Sequence, residues 1–196
     1  MNLPNKLTLI RIIATPIFMY TMVASFKYHF VVALVLFIAA SLTDMFDGKI
    51  ARSRGLITDF GKFLDPLADK MLTTSAFLGL LFMRYTEGIV WIVFVILFRE
   101  FAITSMRLVC SSSGRVVAAN MWGKAKTVVQ MTTVIAILAI ESLKSILCET
   151  EHVLSDNLVK FFDGVSAGLL WVTAALTVIS GVVYLWQNRD AVDPSK

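Results

Sequence analysis

Long apolar stretches separated by short polar segments dominate the chain. Several of them approach the roughly 20 residues that an α-helix needs to cross the hydrocarbon core of a bilayer. The strict alternation of transmembrane strands is missing, so the pattern predicts an all-α polytopic membrane protein with six transmembrane helices, in a single domain over residues 1–196. The stretches are Leu7–Phe26, His29–Thr43 continuing to Asp47, Met71–Met83 after a polar turn, Ile89–Phe98 extending to Met106, Thr127–Ile140 and Val165–Trp186.

The composition supports this class. The chain is 57% hydrophobic and 16% charged, whereas a soluble domain is about 45–50% apolar and about 25% charged. A soluble enzyme and a disordered chain are therefore both excluded. The formal net charge is +4 without a block of basic residues, and we expect no nucleic-acid partner.

Basic residues also predict the topology. Most Lys and Arg side chains fall at the two termini and in the 48–62 and 107–126 connections, whereas few fall in the other connections. By the positive-inside rule, both termini and these two connections face the cytoplasm. The acidic 148–163 segment is expected to be a solvated connector on the outer side. The first span is followed at once by further spans, so we expect it to remain in the mature protein.

Four carboxylates near the second and third spans carry the candidate chemistry. Asp44 and Asp47 are three residues apart, and Asp65 and Asp69 are four apart, so each pair shares a helix face. Placing a carboxylate in a membrane helix costs a free energy of about 2.5–3.5 kcal/mol on insertion scales, so such residues indicate a functional site. Four hard oxygen ligands without a nearby Cys or His favour two Mg²⁺ or Mn²⁺ ions, which could bridge a pyrophosphate.

The depth of this site follows from helix geometry. As a helix, the stretch from His29 to Thr43 rises about 22 Å, which is less than the roughly 30 Å core. Asp44 is therefore expected close to the cytoplasmic surface. At that depth the site could receive water-soluble reactants while a lipid tail stays in the bilayer.

Small residues lie on the same predicted faces. Gly48 and Ala51 follow Asp44 and Asp47, and Gly61 precedes Asp65 on its stripe. Absent or small side chains allow a ligand to approach closely, and Arg52 could bind a phosphate. The alternative is that the three small residues are ordinary helix-packing contacts.

The complete motif Asp44-x2-Asp47-Gly48-x2-Ala51-Arg52-x8-Gly61-x3-Asp65-x3-Asp69 resembles the signature of the CDP-alcohol phosphotransferases. The resemblance implies a six-helix membrane enzyme, usually a homodimer, with two divalent metals. Such an enzyme moves the phosphatidyl group of a CDP-linked lipid to an alcohol and releases CMP. It further implies that Asp44, Asp47 and Asp65 hold the metals and that Asp69 is a ligand, the general base, or both.

Two flanking segments resemble the branch of the family that uses sn-glycerol 3-phosphate as acceptor. They are the opening Pro4-Asn5-Lys6-Leu7-Thr8-Leu9-Ile10-Arg11 and the segment Trp122-Gly123-Lys124-Ala125-Lys126-Thr127. CDP-diacylglycerol and glycerol 3-phosphate are then the expected substrates. The resemblance assigns to the part of the site that binds the cytidine nucleotide the residues Gly48, Ala51, Arg52 and Gly61. It places Asn5, Thr8 and Arg11 at the opening of the same site.

The acceptor phosphate requires a cationic subsite. The candidates are clustered by the 107–126 connection, although Lys and Arg also gather at cytoplasmic helix ends for topological reasons. Arg99, beside Glu100 inside the fourth span, is left open between an internal ion pair and a substrate role, and Glu141 has no assigned role. The glycerol-phosphate candidates are Arg107, Arg115, Lys124 and Lys126.

Two alternatives stay open at the level of sequence. The first is the same chemistry with another acceptor, such as inositol phosphate, serine or phosphatidylglycerol. The second is a cation transporter that uses the four acids as an ion path. Against the transporter, the acids lie at one membrane face only, and no inverted repeat is visible in the sequence.

Overall fold

The computed structural model describes residues 3–54, 59–83, 87–112, 121–149 and 155–189. Within these ranges the protein is built of six α-helices and contains no strand, which confirms the all-α prediction. The helices are α1 (Leu3–Val23), α2 (His29–Arg54), α3 (Asp59–Met83), α4 (Glu87–Ser112), α5 (Met121–Glu149) and α6 (Asp156–Gln187).

Among the described helices, all but α2 begin earlier than the apolar pattern predicted, and the difference is largest for α3 and α6. The polar segment before Met71 is helical rather than a turn, because Leu64 and Ala68 are buried on the same four-residue stripe as Leu72. Similarly, α6 begins at Asp156 inside the predicted 148–163 connector. The Ser155 carbonyl accepts hydrogen bonds from the first turn, where an acidic residue interacts favourably with the helix dipole.

In the described part of the chain, four helices are long and apolar enough to cross a membrane. The spans are Asn5–Val23, Gly88–Cys110, Met121–Leu147 and Asp156–Gln187. The apolar part of α2, His29–Asp44, is shorter than these. The prediction of an all-helical protein with long apolar candidate spans is therefore confirmed, and six spans with cytoplasmic termini stay a prediction.

The helix α1 buries several polar residues and exposes several apolar ones. Thr8 and Arg11 are 1% and 2% exposed, whereas Ile10 and Ile13 are 58% and 57% exposed. An apolar exterior is unfavourable in water and favourable in lipid, and small or polar residues between helices are typical of membrane proteins. The same inversion occurs in α6, where Thr177 is buried and Trp186 is exposed.

The chain divides into two compact units. The first comprises Met1–Arg84 and Val134–Phe162, and the second comprises Tyr85–Thr133 and Asp163–Lys196. In the first unit α1 packs against both α2 and α3. An added Cβ at Gly79 of α3 would lie 2.7 Å from Met22 Cε and 3.0 Å from Met22 Cβ, so the bare glycine allows this close packing. In the second unit, Gly88 of α4 lies beside Trp171 of α6.

Candidate active site

The acids of the predicted metal site lie on α2 and α3. Asp44 ends the apolar part of α2, and Asp69 lies in the first half of α3. Their side chains are 44% and 37% exposed, so both carboxylates are accessible. Asp47 and Asp65 lie on the same two helices at the predicted spacing, and their side chains are outside the described part of the structure.

Arg11 of α1 reaches Asp44 of α2. Its Nη1 donates to the Asp44 Oδ1 atom at 2.5 Å, and its side chain is 1% exposed while that of Asp44 is 44% exposed. The guanidinium is thus enclosed by the protein, and the carboxylate extends from it toward the accessible side. A charge-assisted hydrogen bond of this kind restricts the orientation of the carboxylate.

Asn5 and Thr8 lie on the buried stripe of α1 that carries Arg11. The three residues are spaced at intervals of three, and all of them are buried. The three side chains therefore share one buried face of α1. Their contact with a nucleotide stays a prediction.

The accessible carboxylates have the right chemistry for a divalent metal. Carboxylate oxygens are hard ligands of the kind that Mg²⁺ and Mn²⁺ prefer. Among the described side chains no three His, Cys, Asp or Glu groups gather at one point. The predicted set of four therefore depends on Asp47 and Asp65 in addition to Asp44 and Asp69.

Asp69 also has a defined local setting. The Thr73 hydroxyl donates to the Asp69 backbone carbonyl at 3.0 Å, and Lys70 Nζ lies 3.7 Å from Asp69 Oδ2. The Lys70 contact is a partly exposed ion pair and constrains the carboxylate weakly. The predicted role of Asp69 as a general base stays a prediction.

The small residues and the arginine assigned to the nucleotide side are in helices. Gly48, Ala51 and Arg52 continue α2 beyond Asp47, and Gly61 is in the first turn of α3. The side-chain environments of these four positions fall outside the described residues. Their assignment stays a prediction.

A second polar cluster lies in the other unit, on α4 and α5. Lys126 Nζ forms an ion pair with Glu100 Oε1, and Arg99 Nη1 lies 3.5 Å from the same oxygen. Glu100 and Lys126 are 5% and 4% exposed. The sequence left Arg99 and Glu100 without a settled role. A carboxylate inside an apolar span is itself the signal that a cationic partner must exist.

The four predicted glycerol-phosphate ligands differ in their environment. Arg107 Nε donates to the Tyr184 hydroxyl at 3.0 Å, with the guanidinium over the Tyr184 ring. Lys124 is exposed on α5, whereas Lys126 is buried against Glu100. Arg115 is not among the described residues. The sequence did not indicate the role of Tyr184, because a tyrosine near the end of a span is also an ordinary interfacial residue.

Glu141 has a local partner. Lys144 Nζ lies 3.1 Å from Glu141 Oε1, three residues along α5. This pair accounts for an acid to which the sequence assigned no role.

Comparison with known proteins identifies the family. The model of the CDP-alcohol phosphatidyltransferase family matches residues 1–182. The chain belongs to this family. The match includes both helices that carry the aspartates and also α4 and α5. As a CDP-alcohol phosphatidyltransferase, the protein is an enzyme rather than a cation transporter.

Curated relatives agree with the family. The chain is 42% identical to the CDP-diacylglycerol–glycerol-3-phosphate 3-phosphatidyltransferase of Bacillus subtilis, over 99% of this chain and 98% of the relative. It is 36% identical to the enzyme of the same name from Rickettsia bellii, over 93% of both chains. A probable phosphatidylglycerophosphate synthase of Mycobacterium tuberculosis is 40% identical over 68% of this chain and 64% of the relative.

Proposed function

We propose that this phosphatidyltransferase transfers the phosphatidyl group of CDP-diacylglycerol to sn-glycerol 3-phosphate, giving phosphatidylglycerophosphate and CMP. The observation that carries the proposal is the 42% identity to the Bacillus subtilis enzyme along nearly the whole of both chains. Similarity of that extent includes the acidic site, the opening segment of α1 and the cationic segment of α5.

The acidic site is assigned to the pyrophosphate of the lipid substrate. Asp44, Asp47, Asp65 and Asp69 would hold two divalent cations, Mg²⁺ or Mn²⁺. When bound, these cations neutralise charge on the phosphoryl oxygens and on the departing CMP. The accessible carboxylates of Asp44 and Asp69 and the hydrogen bond from Arg11 to Asp44 support this assignment.

Asp69 is the proposed general base. It takes the proton from the primary hydroxyl of glycerol 3-phosphate as that oxygen attacks the lipid-side phosphorus. A new P–O bond forms to the acceptor, and the bond to the CMP oxygen breaks. The partial exposure of Asp69 leaves its carboxylate accessible to a water-soluble acceptor.

The nucleotide side is assigned to α2, α3 and the buried stripe of α1. Gly48, Ala51 and Gly61 leave room for cytidine, and Arg52 provides a cation for its phosphates. Arg11 acts through Asp44, which it contacts directly. Asn5 and Thr8 are the remaining residues that we assign to nucleotide binding.

The acceptor phosphate is assigned to the cations of α4 and α5 and of the connection between them. A phosphate dianion is bound best by guanidinium and ammonium groups held close together. Arg107, Arg115, Lys124 and Lys126 supply four such groups in a short part of the chain.

The proposed location is the cell membrane, with six spans, both termini and the active site on the cytoplasmic side. The uneven distribution of basic residues supports this orientation. The proposed assembly is a homodimer, as the family resemblance implies. CDP-diacylglycerol reaches the enzyme from among the surrounding membrane lipids, in the plane of the bilayer.

The test is CMP release by the purified protein in detergent with CDP-diacylglycerol and Mg²⁺. Glycerol 3-phosphate, inositol phosphate, serine and phosphatidylglycerol are supplied in separate reactions. We expect release with glycerol 3-phosphate alone, with phosphatidylglycerophosphate as the lipid product. Release with one of the other acceptors instead would retain the reaction and reject the proposed acceptor, and absence of release with all four would reject the proposal.

A further inference from the structure

Glu100 is a carboxylate inside an apolar span. It lies on α4 within Gly88–Cys110, and it is 5% exposed. Acidic residues at such positions are rare, and they are typically paired and functional. The reaction proposed above gives Glu100 no chemical step, so its placement requires an explanation.

Two cations converge on one oxygen of Glu100. Lys126 of α5 forms an ion pair with Oε1, and Arg99 Nη1 lies 3.5 Å from the same atom. Two positive groups thus share a single carboxylate in a buried place. Without Glu100 the two cations would repel each other, and the low dielectric of the surroundings would strengthen that repulsion.

The position of Arg99 is also determined by packing. Its Cγ atom lies 3.0 Å from the position that a Cβ would occupy at Gly181 of α6. A side chain at Gly181 would therefore crowd the Arg99 side chain, so the bare glycine on α6 leaves room for Arg99 beside Glu100.

Buried donors without an acceptor lie in the same cluster of helices. Within the described residues, Arg99 Nε and Gln130 Nε2 are buried and have no hydrogen-bond partner. Gln130 is 2% exposed and follows Lys126 by four residues, which places both on one face of α5. Buried N–H groups without acceptors are costly, and an anion would supply the missing oxygens.

We propose that Glu100 is a positioning residue of the acceptor subsite. Its carboxylate holds Lys126 and Arg99 side by side, so that their charges and the N–H groups of Arg99 and Gln130 receive the phosphate of the acceptor. Glu100 does not touch the acceptor, since two anions repel each other. The inference rests on the proposed function, and it adds Arg99 and Gln130 to the proposed subsite.

The direct test is E100Q, with the KM measured separately for glycerol 3-phosphate and for CDP-diacylglycerol. We expect the acceptor KM to rise about ten-fold or more, because Lys126 and Arg99 lose the charge that holds them together and bind the phosphate less well, while the lipid KM stays near the wild-type value. E100D, which keeps the charge, should recover part of the loss. E141Q is the matched control, since Glu141 pairs with Lys144 elsewhere on α5. An equal rise of both KM values in E100Q would overturn the proposal.

The charge-swapped variant E100K/K126E separates positioning from simple stabilisation. If the pair only ties α4 to α5, the swap restores the attraction and with it the wild-type acceptor KM, which would overturn the proposal. We expect instead a thermal midpoint close to that of the wild type with an acceptor KM that remains raised. The reason is that the swap places a carboxylate where the phosphate should meet an ammonium.

Q130M keeps the test decisive if the Glu100 variants fail to fold. Methionine has a similar volume and lacks the amide donor, so we expect normal stability with a raised acceptor KM. An unchanged acceptor KM in Q130M would overturn the assignment of the subsite.

Binding of inorganic phosphate separates this inference from the proposed function. Phosphate should raise the thermal midpoint of the wild-type protein in detergent, and this protection should be lost in Q130M. Failure of the wild type to use glycerol 3-phosphate, with that protection intact, would reject the proposed acceptor and retain the subsite. Equal protection of both proteins would overturn the subsite whatever the acceptor.

Discussion

At the scale of single residues, the pair of Arg11 and Asp44 links two roles that the sequence kept apart. The motif marked Asp44 as a metal ligand, and the opening segment marked Arg11 as a nucleotide contact. In the structure Arg11 is enclosed by protein and donates to Asp44 at 2.5 Å. Arg11 therefore acts on the acidic site through the orientation of one carboxylate.

Replacing Arg11 should weaken metal binding. In R11K the charge remains and the planar hydrogen-bonding group is lost. The Asp44 carboxylate is then less ordered before the metal binds, and ordering it on binding costs free energy. We expect Mn²⁺ affinity to fall by about ten-fold or more, the range seen when partners of metal ligands are removed. Electron paramagnetic resonance of free Mn²⁺ measures this without turnover.

Lys6 supplies the matched control for Arg11, because it is an exposed cation on the same helix. K6M should bind Mn²⁺ as the wild type does. Tighter Mn²⁺ binding in R11K would mean that the guanidinium mainly repels the metal, which contradicts the ordering role.

Neutralising Asp69 should remove the general base. In D69N we expect CMP release to fall by about 10²–10⁴-fold, the usual contribution of general acid–base catalysis. The protein should remain folded, because the Asp69 side chain is partly exposed and its described ion pair with Lys70 is loose.

The control for Asp69 is D156N at the exposed start of α6, which should keep wild-type turnover. Measuring Mn²⁺ binding alongside turnover separates the two roles of Asp69. If Asp69 is only a base, D69N leaves the Mn²⁺ affinity unchanged. If Asp69 is also a ligand, D69N lowers the Mn²⁺ affinity. Substantial CMP release by D69N would remove the assignment as base.

At the scale of elements, α1 is the helix that contacts both α2 and α3, the two helices on which the acidic motif lies. It packs against both α2 and α3, and contacts between α2 and α3 are fewer in the described part of the chain. The approach of α1 to α3 depends on Gly79, which lies against Met22. The Gly79 contact therefore sets how closely α3 approaches α1, the helix that carries Arg11.

A bulky residue at Gly79 should loosen this packing. In G79V the added atoms would meet Met22 near its backbone, and overpacking of this kind costs about 1–3 kcal/mol. We expect a lower thermal midpoint in detergent and a parallel loss of Mn²⁺ affinity. G164A is the control, because no heavy atom lies within 4 Å of an added Cβ there. A wild-type midpoint for G79V would contradict the role of this contact.

At the scale of the whole molecule, apolar side chains lie both in the core and on the outer surface, and several polar side chains are buried between helices. Ile10 and Trp186 are exposed, whereas Arg11 and Glu100 are buried. This arrangement suits an enzyme whose lipid substrate arrives through the bilayer and whose second substrate arrives from water. The four carboxylates of the acidic motif would repel one another and the phosphates of both substrates, so the proposed site needs cations that offset this repulsion.

Removing divalent metal should stop the reaction reversibly. We expect EDTA to abolish CMP release, because four carboxylates cannot hold a pyrophosphate without cations. Mg²⁺ or Mn²⁺ should restore it, as expected for oxygen ligands. The measurement is CMP release before chelation, after it and after metal is added back. Full activity in EDTA would contradict the metal assignment.

Much of this organisation could be predicted from the sequence. Apolar length predicted all-helical membrane architecture, and the spacing of the aspartates placed Asp44 with Asp47 on one helix and Asp65 with Asp69 on another. These features depend on the local period of the helix. The bounds of α3 and α6 were predicted less well. Polar residues that continue a buried stripe, or that cap a helix, look like connectors in a hydropathy pattern.

The sequence by itself determined the class of protein, its helices, its acidic motif and its resemblance to a family. Only the tertiary structure decided which intramembrane charges meet. Arg11 pairs with Asp44 on the next helix, and Lys126 of α5 pairs with Glu100 of α4. Such pairs depend on the rotation and height of one helix relative to another, and these are set by packing between helices, as at Gly79 and Gly181.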